Sequence, residues 1–123
     1  MSAPRKRVFP GGNLFEFSRD LIRSIEKGDP LEKEFIEPLL PDRGVLVERI
    51  VSFAQSSPPG FWYDQERDEW VALLSGEAVL EGEDGGVLEV HRGDWMFLHA
   101  HGRHRVARTA WGPPGVWVGV DVG

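Results

Sequence analysis

The sequence predicts an all-β fold, and three observations support that prediction. Fifteen glycines and nine prolines among 123 residues indicate many turns, which an all-β architecture requires. From residue 45 onward, short apolar runs recur at intervals of about ten residues, which is typical of a sandwich or barrel. One run alternates as a strand with one face in water does: Glu77, Val79 and Glu81 against Ala78 and Leu80.

Composition and charge argue against several classes of function. A hydrophobic fraction of 41% predicts one folded domain with a core of its own. The formal charge of −6 disfavours nucleic-acid binding, which requires clustered cations, and the basic residues 5–7 are interpreted as a solvated tail. The absence of cysteine excludes disulfides, zinc–cysteine sites and thiol catalysis. With no signal peptide and no apolar run near the ~20 residues of a membrane span, we expect a cytoplasmic protein without membrane contact.

Residues 1–42 are predicted to form a tail and a helical lead-in. Asn13 is a candidate N-cap, and Glu16 stands three residues later, as in a capping box. Gly28 is expected to end this helix, and residues 29–36 are predicted to form a second, short helix. The apolar positions of the first helix recur at helical spacing: Leu14, Phe17, Leu21 and Ile25.

Short strands separated by tight turns are predicted for the rest of the chain. The turn at Ser75 and Gly76 is expected to join two of them into a hairpin. The predicted strands span residues 45–51, 70–74, 77–81, 87–90, 95–98, 104–109 and 116–120.

The spacing of a few residues carries a family resemblance. Six residues separate Glu69 from Gly76, and a histidine-rich corner follows Gly93 and ends at His104. In this spacing the chain resembles the cupin superfamily, in particular small single-domain bacterial cupins. The family's first motif is a glycine, five residues, His-x-His, three or four residues, a glutamate, six residues and a glycine. The resemblance implies a double-stranded β-helix, or jelly-roll barrel, over residues 43–123, and a homodimer.

Two of the histidines that the family uses as metal ligands are missing. Counting back four residues from Glu69 places the His-x-His pair at Trp62 and Asp64. Asp64 can still offer an oxygen to a metal, whereas Trp62 would narrow the pocket and make it apolar. If the register of this strand slips by one residue, Gln65 projects inward in place of Asp64.

His101 stands three residues before His104, at a corner where one turn can bring both imidazoles to one ion. Two carboxylates and two imidazoles suit zinc, iron, manganese or nickel as divalent ions, and the sequence does not choose among them. The predicted metal ligands are Glu69, His104, His101 and Asp64.

A metal-free interpretation of the same residues stays open. Glu69 can pair with Arg103 or Arg105 instead, and His104 can form an acid/base couple with Glu69 or stand as a barrel histidine. Arg103 or Arg105 could also hold a substrate carboxylate. The predicted pocket lining is Trp62, Tyr63, Gln65 and Arg103.

Two functions follow from these alternatives. The first is a metal-dependent enzyme of the dioxygenase, isomerase, decarboxylase or lyase type that acts on a small organic molecule. The second is a metal-free, non-catalytic module that binds or senses a small molecule. The sequence assigns no catalytic residue in either case.

Overall fold

The computed structural model of the protein describes residues 11–28, 30–31, 33–109 and 112–123. Within these residues the chain forms one helix, α1 (Arg19–Glu26), and eight strands. No helix in this part of the chain is long and apolar enough to cross a membrane. The strands are β1 (Phe35–Pro38), β2 (Val45–Ser52), β3 (Asp68–Ser75), β4 (Ala78–Gly82), β5 (Val87–Val90), β6 (Trp95–Leu98), β7 (His104–Thr109) and β8 (Gly115–Val122).

The strands form two antiparallel sheets with the core between them. One sheet has the order β1-β2-β8-β3-β6, and the other has the order β5-β4-β7. The predicted all-β jelly-roll class with a short N-terminal helix is confirmed. The core takes side chains from both sheets, because inward residues alternate with outward ones along each strand: Ile50, Val71, Leu73, Ala78, Leu80, Val90, Val106 and Trp117.

The predicted hairpin across Ser75 and Gly76 is wrong. β3 pairs with β6 and β8, whereas β4 pairs with β5 and β7 in the other sheet. Gly76 has a φ of 87°, and a Cβ there would lie 2.7 Å from the Cα of Gly115. The turn is therefore packed against the start of β8, where it passes the chain from one sheet to the other.

The lead-in differs from the prediction at its helix start. Asn13 accepts a hydrogen bond from the backbone N–H of Phe15 at 2.8 Å, which makes a local turn rather than a helix cap. The helix is capped by Ser18, whose hydroxyl accepts from the N–H of Leu21 at 3.2 Å. It ends before Gly28, as predicted.

The second predicted helix is also wrong, because residues 35–38 form strand β1. Phe35 pairs with Val51 at the edge of the five-stranded sheet. Glu37 precedes Pro38, a position biased towards extended backbone, and proline is tolerated on an edge strand. The basic residues 5–7 and the predicted helix start at Asp29 lie outside the described residues. The division of the chain at residue 42 stays a prediction.

Candidate carboxylate site in the barrel

A cavity of about 90 Å³ lies between the two sheets. Its volume equals that of roughly three water molecules, so it accommodates an ion with its waters or a ligand of a few atoms. Much of the wall is apolar, with side chains such as Ile50, Val71, Leu80 and Trp117. The polar part of the wall consists of Glu34, Glu48, Tyr63, Gln65, Glu69 and His104.

Three carboxylates converge beside this cavity from three neighbouring strands. Glu48 belongs to β2, Asp121 to β8 and Glu69 to β3, where Glu69 is the register partner of Asp121. One oxygen of each carboxylate lies within 4.8 Å of the others. Among the described residues, this is the one group of three acidic, histidine or cysteine side chains arranged closely enough to hold a metal ion.

Gly119 makes room for this cluster. It is the register partner of Glu48 and precedes Asp121 by two residues on the inner face of β8. A Cβ at position 119 would lie 2.8 Å from Oε2 of Glu69. The Glu69 carboxylate therefore occupies the space that a side chain on β8 would otherwise fill.

Burial and mutual repulsion keep protons on the cluster. Burial, followed by the neighbouring carboxylates of Asp121, Glu48 and Glu34, raises the pKa of Glu69 to about 8. Burial and Asp121 also raise the pKa of Glu48. Carboxylates this close cannot all ionise without a compensating cation, so either protons or a metal ion must neutralise them.

Glu34 and Tyr63 form a second acidic pair at the cavity. The Tyr63 hydroxyl donates to Oε1 of Glu34 at 3.4 Å. Burial raises the pKa of Glu34 to about 7, although the hydrogen bond from Tyr63 opposes this shift. Burial and then the Glu34 carboxylate raise the pKa of Tyr63 to about 12, so the phenol keeps its proton.

His104 is held next to Tyr63 with one ring nitrogen already used. The two rings stack with centroids 5.4 Å apart, and their backbones form an isolated β-bridge. Nδ1 of His104 lies 3.1 Å from the carbonyl oxygen of Gly102, which can only accept, so Nδ1 carries the proton in the neutral ring. Nε2 then has a lone pair for a ligand or an ion, as in histidines that bind metals.

The four predicted metal ligands lie in two separate places. Glu69 and His104 line the cavity. Nδ1 of His101 and Oδ1 of Asp64 lie 2.7 Å apart in an exposed hydrogen bond, and neither residue lines the cavity. The structure therefore brings these ligands together as two pairs rather than as one group of four.

The extended segment that precedes β3 has the alternative register, which is shifted by one residue from the predicted one. Tyr63 and Gln65 line the cavity, whereas Trp62 and Asp64 do not, because neighbouring side chains point to opposite faces. The predicted inward position of Trp62 needs correction. The shorter, three-residue version of the family spacing before Glu69 gives positions 63 and 65 directly.

The two arginines that were candidate partners of Glu69 pair with other residues. Arg103 pairs with Glu83 at 2.7 Å at the surface and does not line the cavity, contrary to its predicted position. Arg105 reaches Glu81 at 3.3 Å and the carbonyl oxygen of Ser57 at 2.8 Å. Neither arginine pairs with Glu69, so a proton or a cation has to neutralise its carboxyl group.

Three site residues were missed by the sequence analysis: Glu34, Glu48 and Asp121. The alternation of residues along the strands indicates two of them. Glu48 alternates in phase with the core residue Ile50, and Asp121 alternates in phase with the core residue Trp117. A charged residue on the buried face of a strand is a candidate site residue, because burying a charge requires a partner.

Comparison with solved structures places the chain in a family. No protein-family model and no curated protein matches it. A solved structure of a putative mannose-6-phosphate isomerase from Ralstonia eutropha is 41% identical, covers 92% of this chain and 97% of that chain, and gives a TM-score of 0.77. A cupin superfamily protein from Desulfitobacterium hafniense is 15% identical over 74% of this chain and 78% of that chain, with a TM-score of 0.60. This chain belongs to the cupin superfamily.

A more distant structure of the same fold is that of an Fe(II) protein. Fe(II)-HppE, crystallised with an alternative substrate, is 13% identical, covers 74% of this chain and 50% of that chain, and gives a TM-score of 0.59. At 13% and 15% identity, this structure and that of the Desulfitobacterium cupin show only that the fold is shared. The chemistry of this cupin has to be argued from its own residues.

Proposed function

We propose that this cupin binds one divalent cation on Glu48, Glu69 and Asp121 and uses the adjoining cavity to bind or transform a small organic molecule. The convergence of the three carboxylates within 4.8 Å carries the proposal. Carboxylate oxygens favour hard cations, so Mn(II) fits best among the four metals that the sequence allowed. When bound, such an ion would supply Lewis acidity to an oxygen atom of the ligand.

The residues fit this cation better than they fit the usual family site of three histidines and a glutamate. Two of the imidazole positions are Tyr63 and Gln65, and the Tyr63 hydroxyl is engaged by Glu34. Gly119 leaves the Glu69 carboxylate free to lie beside Glu48 and Asp121. In this proposal Nε2 of His104 serves the ligand rather than completing the metal site.

The charge of the cavity limits the class of ligand. None of the described residues that line it is an arginine or a lysine. A sugar phosphate, as named for the Ralstonia protein, would bring its phosphate to a wall that carries Glu34, Glu48 and Glu69. We therefore propose a small uncharged or cationic molecule instead of a phosphate ester.

The acid groups around the cavity suit proton transfer. Glu34 has a pKa of about 7, which is close to the value that an efficient general acid or base needs at neutral pH. His104 offers an acceptor nitrogen on the same wall. Among the enzyme types predicted from the sequence, these groups favour isomerase or lyase chemistry, in which a proton moves.

A metal-free binding module is the second candidate, and the high pKa of Glu69 favours it. At neutral pH a proton on Glu69 relieves the repulsion that a cation would otherwise relieve. The protonated carboxyl groups would then donate hydrogen bonds to a small neutral ligand. Metal uptake distinguishes the two candidates.

The test is a titration of untagged, chelator-treated protein with Mn(II). Calorimetry measures the uptake of the ion, and thermal unfolding measures the melting temperature. We expect about one ion per chain and a melting temperature that rises with ion concentration by mass action. Glu48→Gln should abolish uptake and yet raise the melting temperature of the metal-free protein, because it removes one of three crowded carboxylates. Glu26→Gln, on the exposed face of α1, is the control and should change neither quantity.

Two results would contradict the metal site. Uptake that is unchanged in Glu48→Gln would exclude the carboxylate cluster as the binding site. Failure of the unmodified protein to take up Mn(II), Mg(II) or Ca(II) would leave the metal-free binding module.

We also infer a cytoplasmic location. The absence of cysteine supports it, since small exported domains commonly depend on disulfides. Fractionation of cells that express the native chain, with a cytoplasmic enzyme as marker, tests this location.

A further inference from the structure

The side-chain hydrogen-bond donors in the wall of the barrel cavity are already engaged by the protein. The Tyr63 hydroxyl donates to Glu34, and Nδ1 of His104 donates to a backbone carbonyl oxygen. Nε1 of Trp117 donates to the Ser52 hydroxyl at 3.2 Å. A ligand that needs donors from the wall, such as an anion, therefore finds these three unavailable.

The acceptors of the same wall, in contrast, are open. Glu69 is only 5% exposed, and no cation among the described residues pairs with its carboxyl group. Its oxygens are not sealed from water, so this buried side chain presents them to the cavity that it lines. Oε2 of Glu34 and Nε2 of His104 are likewise open and lack a donor. The Gln65 amide has both a donor and an acceptor group and favours neither kind of ligand.

A divalent ion on the carboxylate cluster would not use up all of these acceptors. The cluster supplies three carboxyl groups, and Glu34 adds a fourth that lies close enough to raise the pKa of Glu69. One divalent ion balances two negative charges, which leaves carboxylate charge for a ligand with a positive charge. Glu34 and Nε2 of His104 are the acceptors that the ion leaves free in this arrangement.

We propose that the ligand of this cavity is a short primary alkylammonium ion, whose N–H groups donate to Glu34 and to Nε2 of His104. Its alkyl chain lies against the apolar part of the wall, beside residues such as Ile50 and Leu80. Two or three carbon atoms fill a volume of about 90 Å³. An alcohol would offer one donor and no charge, and a carboxylate would meet like charges. The inference rests on the proposed role of this cavity as the ligand site, but not on the metal ion.

Ethylamine, ethanol and acetate are probes of similar size that test the class of ligand. The NMR signal of the Trp117 indole N–H reports binding, because this side chain lines the cavity. A ligand of three heavy atoms binds with a Kd on the order of 1 mM at best. We expect ethylamine to bind at least about tenfold more tightly than ethanol or acetate, because only ethylamine forms charged hydrogen bonds with the carboxylate. Equal binding of ethanol or acetate would overturn the proposal, as would the failure of ethylamine to shift the signal.

Titrations of chelator-treated and of Mg(II)-loaded protein separate this proposal from the metal site. A protein that takes up no divalent ion and still binds ethylamine would contradict the metal site and support the alkylammonium ligand.

A single substitution then locates the ligand. Glu34→Gln should weaken the binding of ethylamine about tenfold or more, because it removes the charge and keeps an oxygen that can accept from Tyr63. Glu66→Gln is the matched control, since Glu66 is exposed and lies outside the cavity wall, and it should leave the binding unchanged. Ethylamine binding that is as tight in Glu34→Gln as in the unmodified protein would overturn this placement.

Discussion

At the scale of single residues, Gly119 influences the carboxylate cluster through the side chain that it lacks. In Gly119→Ala, the new Cβ would lie 2.8 Å from Oε2 of Glu69 and force this carboxylate away. We expect the affinity for Mn(II) to fall about tenfold or more, while stability changes by about 1 kcal/mol, because the displaced atom ends a flexible side chain. Calorimetric titration and chemical denaturation of the same sample measure both effects.

Gly112→Ala is the matched control for that substitution, since a Cβ at position 112 meets no atom of the described residues within 4 Å. Mn(II) affinity should not change in this variant. If Gly119→Ala binds Mn(II) as tightly as the unmodified protein does, the Glu69 carboxylate is not a ligand.

Single residues also show how far sequence reasoning reaches at the site. Motif spacing identified Glu69 and His104, which both line the cavity. It gave both Trp62 and Tyr63 as lining residues, because the family allows three or four residues before Glu69, and the bridge between Tyr63 and His104 decides between the two registers. Glu48 and Asp121 belong to no motif. They meet Glu69 because β8 lies between β2 and β3, and this strand order cannot be read from local sequence.

At the scale of secondary-structure elements, the turn at Gly76 determines how the chain passes between the sheets. Gly76→Ala would combine a φ of 87° with a Cβ only 2.7 Å from the backbone of Gly115, which cannot move aside as a side chain can. We expect a loss of about 3 kcal/mol in the free energy of unfolding, from backbone strain and overpacking together. Chemical denaturation measures this loss.

Gly44→Ala separates the two contributions. Gly44 has a φ of 91°, but a Cβ there would meet no atom of the described residues within 4 Å, so we expect this variant to lose only about 1–2 kcal/mol. If both variants lose the same amount, the close approach of Gly76 to β8 does not contribute to stability.

The positions of the strands were predictable, whereas their pairing was not. Alternation and turn residues are local, and they located the seven strands from β2 to β8 to within about two residues. The partners of β3 are β6 and β8, which come later in the chain, so the nearest strand in sequence was chosen wrongly. The helix start was misplaced for a similar reason, because Asn13 and Ser18 are both good caps and packing decides between them.

At the scale of the whole molecule, the raised pKa values predict that the metal-free protein is more stable in mild acid. Glu34 and Glu69 have pKa values of about 7 and 8 in the folded protein and about 4.5 when unfolded. The folded state therefore binds more protons, and this stability is fully present below pH 4.5 and is lost as the pH rises through 7 and 8. For Glu34 alone the loss is on the order of 3 kcal/mol.

Chemical denaturation with chelator present, at about pH 5 and about pH 8, measures this dependence. Glu34→Gln should reduce the loss of unfolding free energy as the pH rises to about 7. Glu69→Gln should reduce the loss as the pH rises to about 8. Stability that rises with pH over this range would mean that the carboxyl groups are ionised in the folded protein.

The outer face of the five-stranded sheet predicts a homodimer. Three aromatic side chains share this face near the edge strand β6, with Trp70 37%, Trp95 64% and Phe97 43% exposed. An exposed aromatic patch of this kind is typical of an interface, because large rings bury much apolar area on association. We expect light scattering to show a dimer, and Trp95→Asp to shift it to the monomer. Val87→Asp, at a more exposed apolar residue of the other sheet, should remain dimeric, so a Trp95→Asp variant that also stays dimeric would place the interface on another surface.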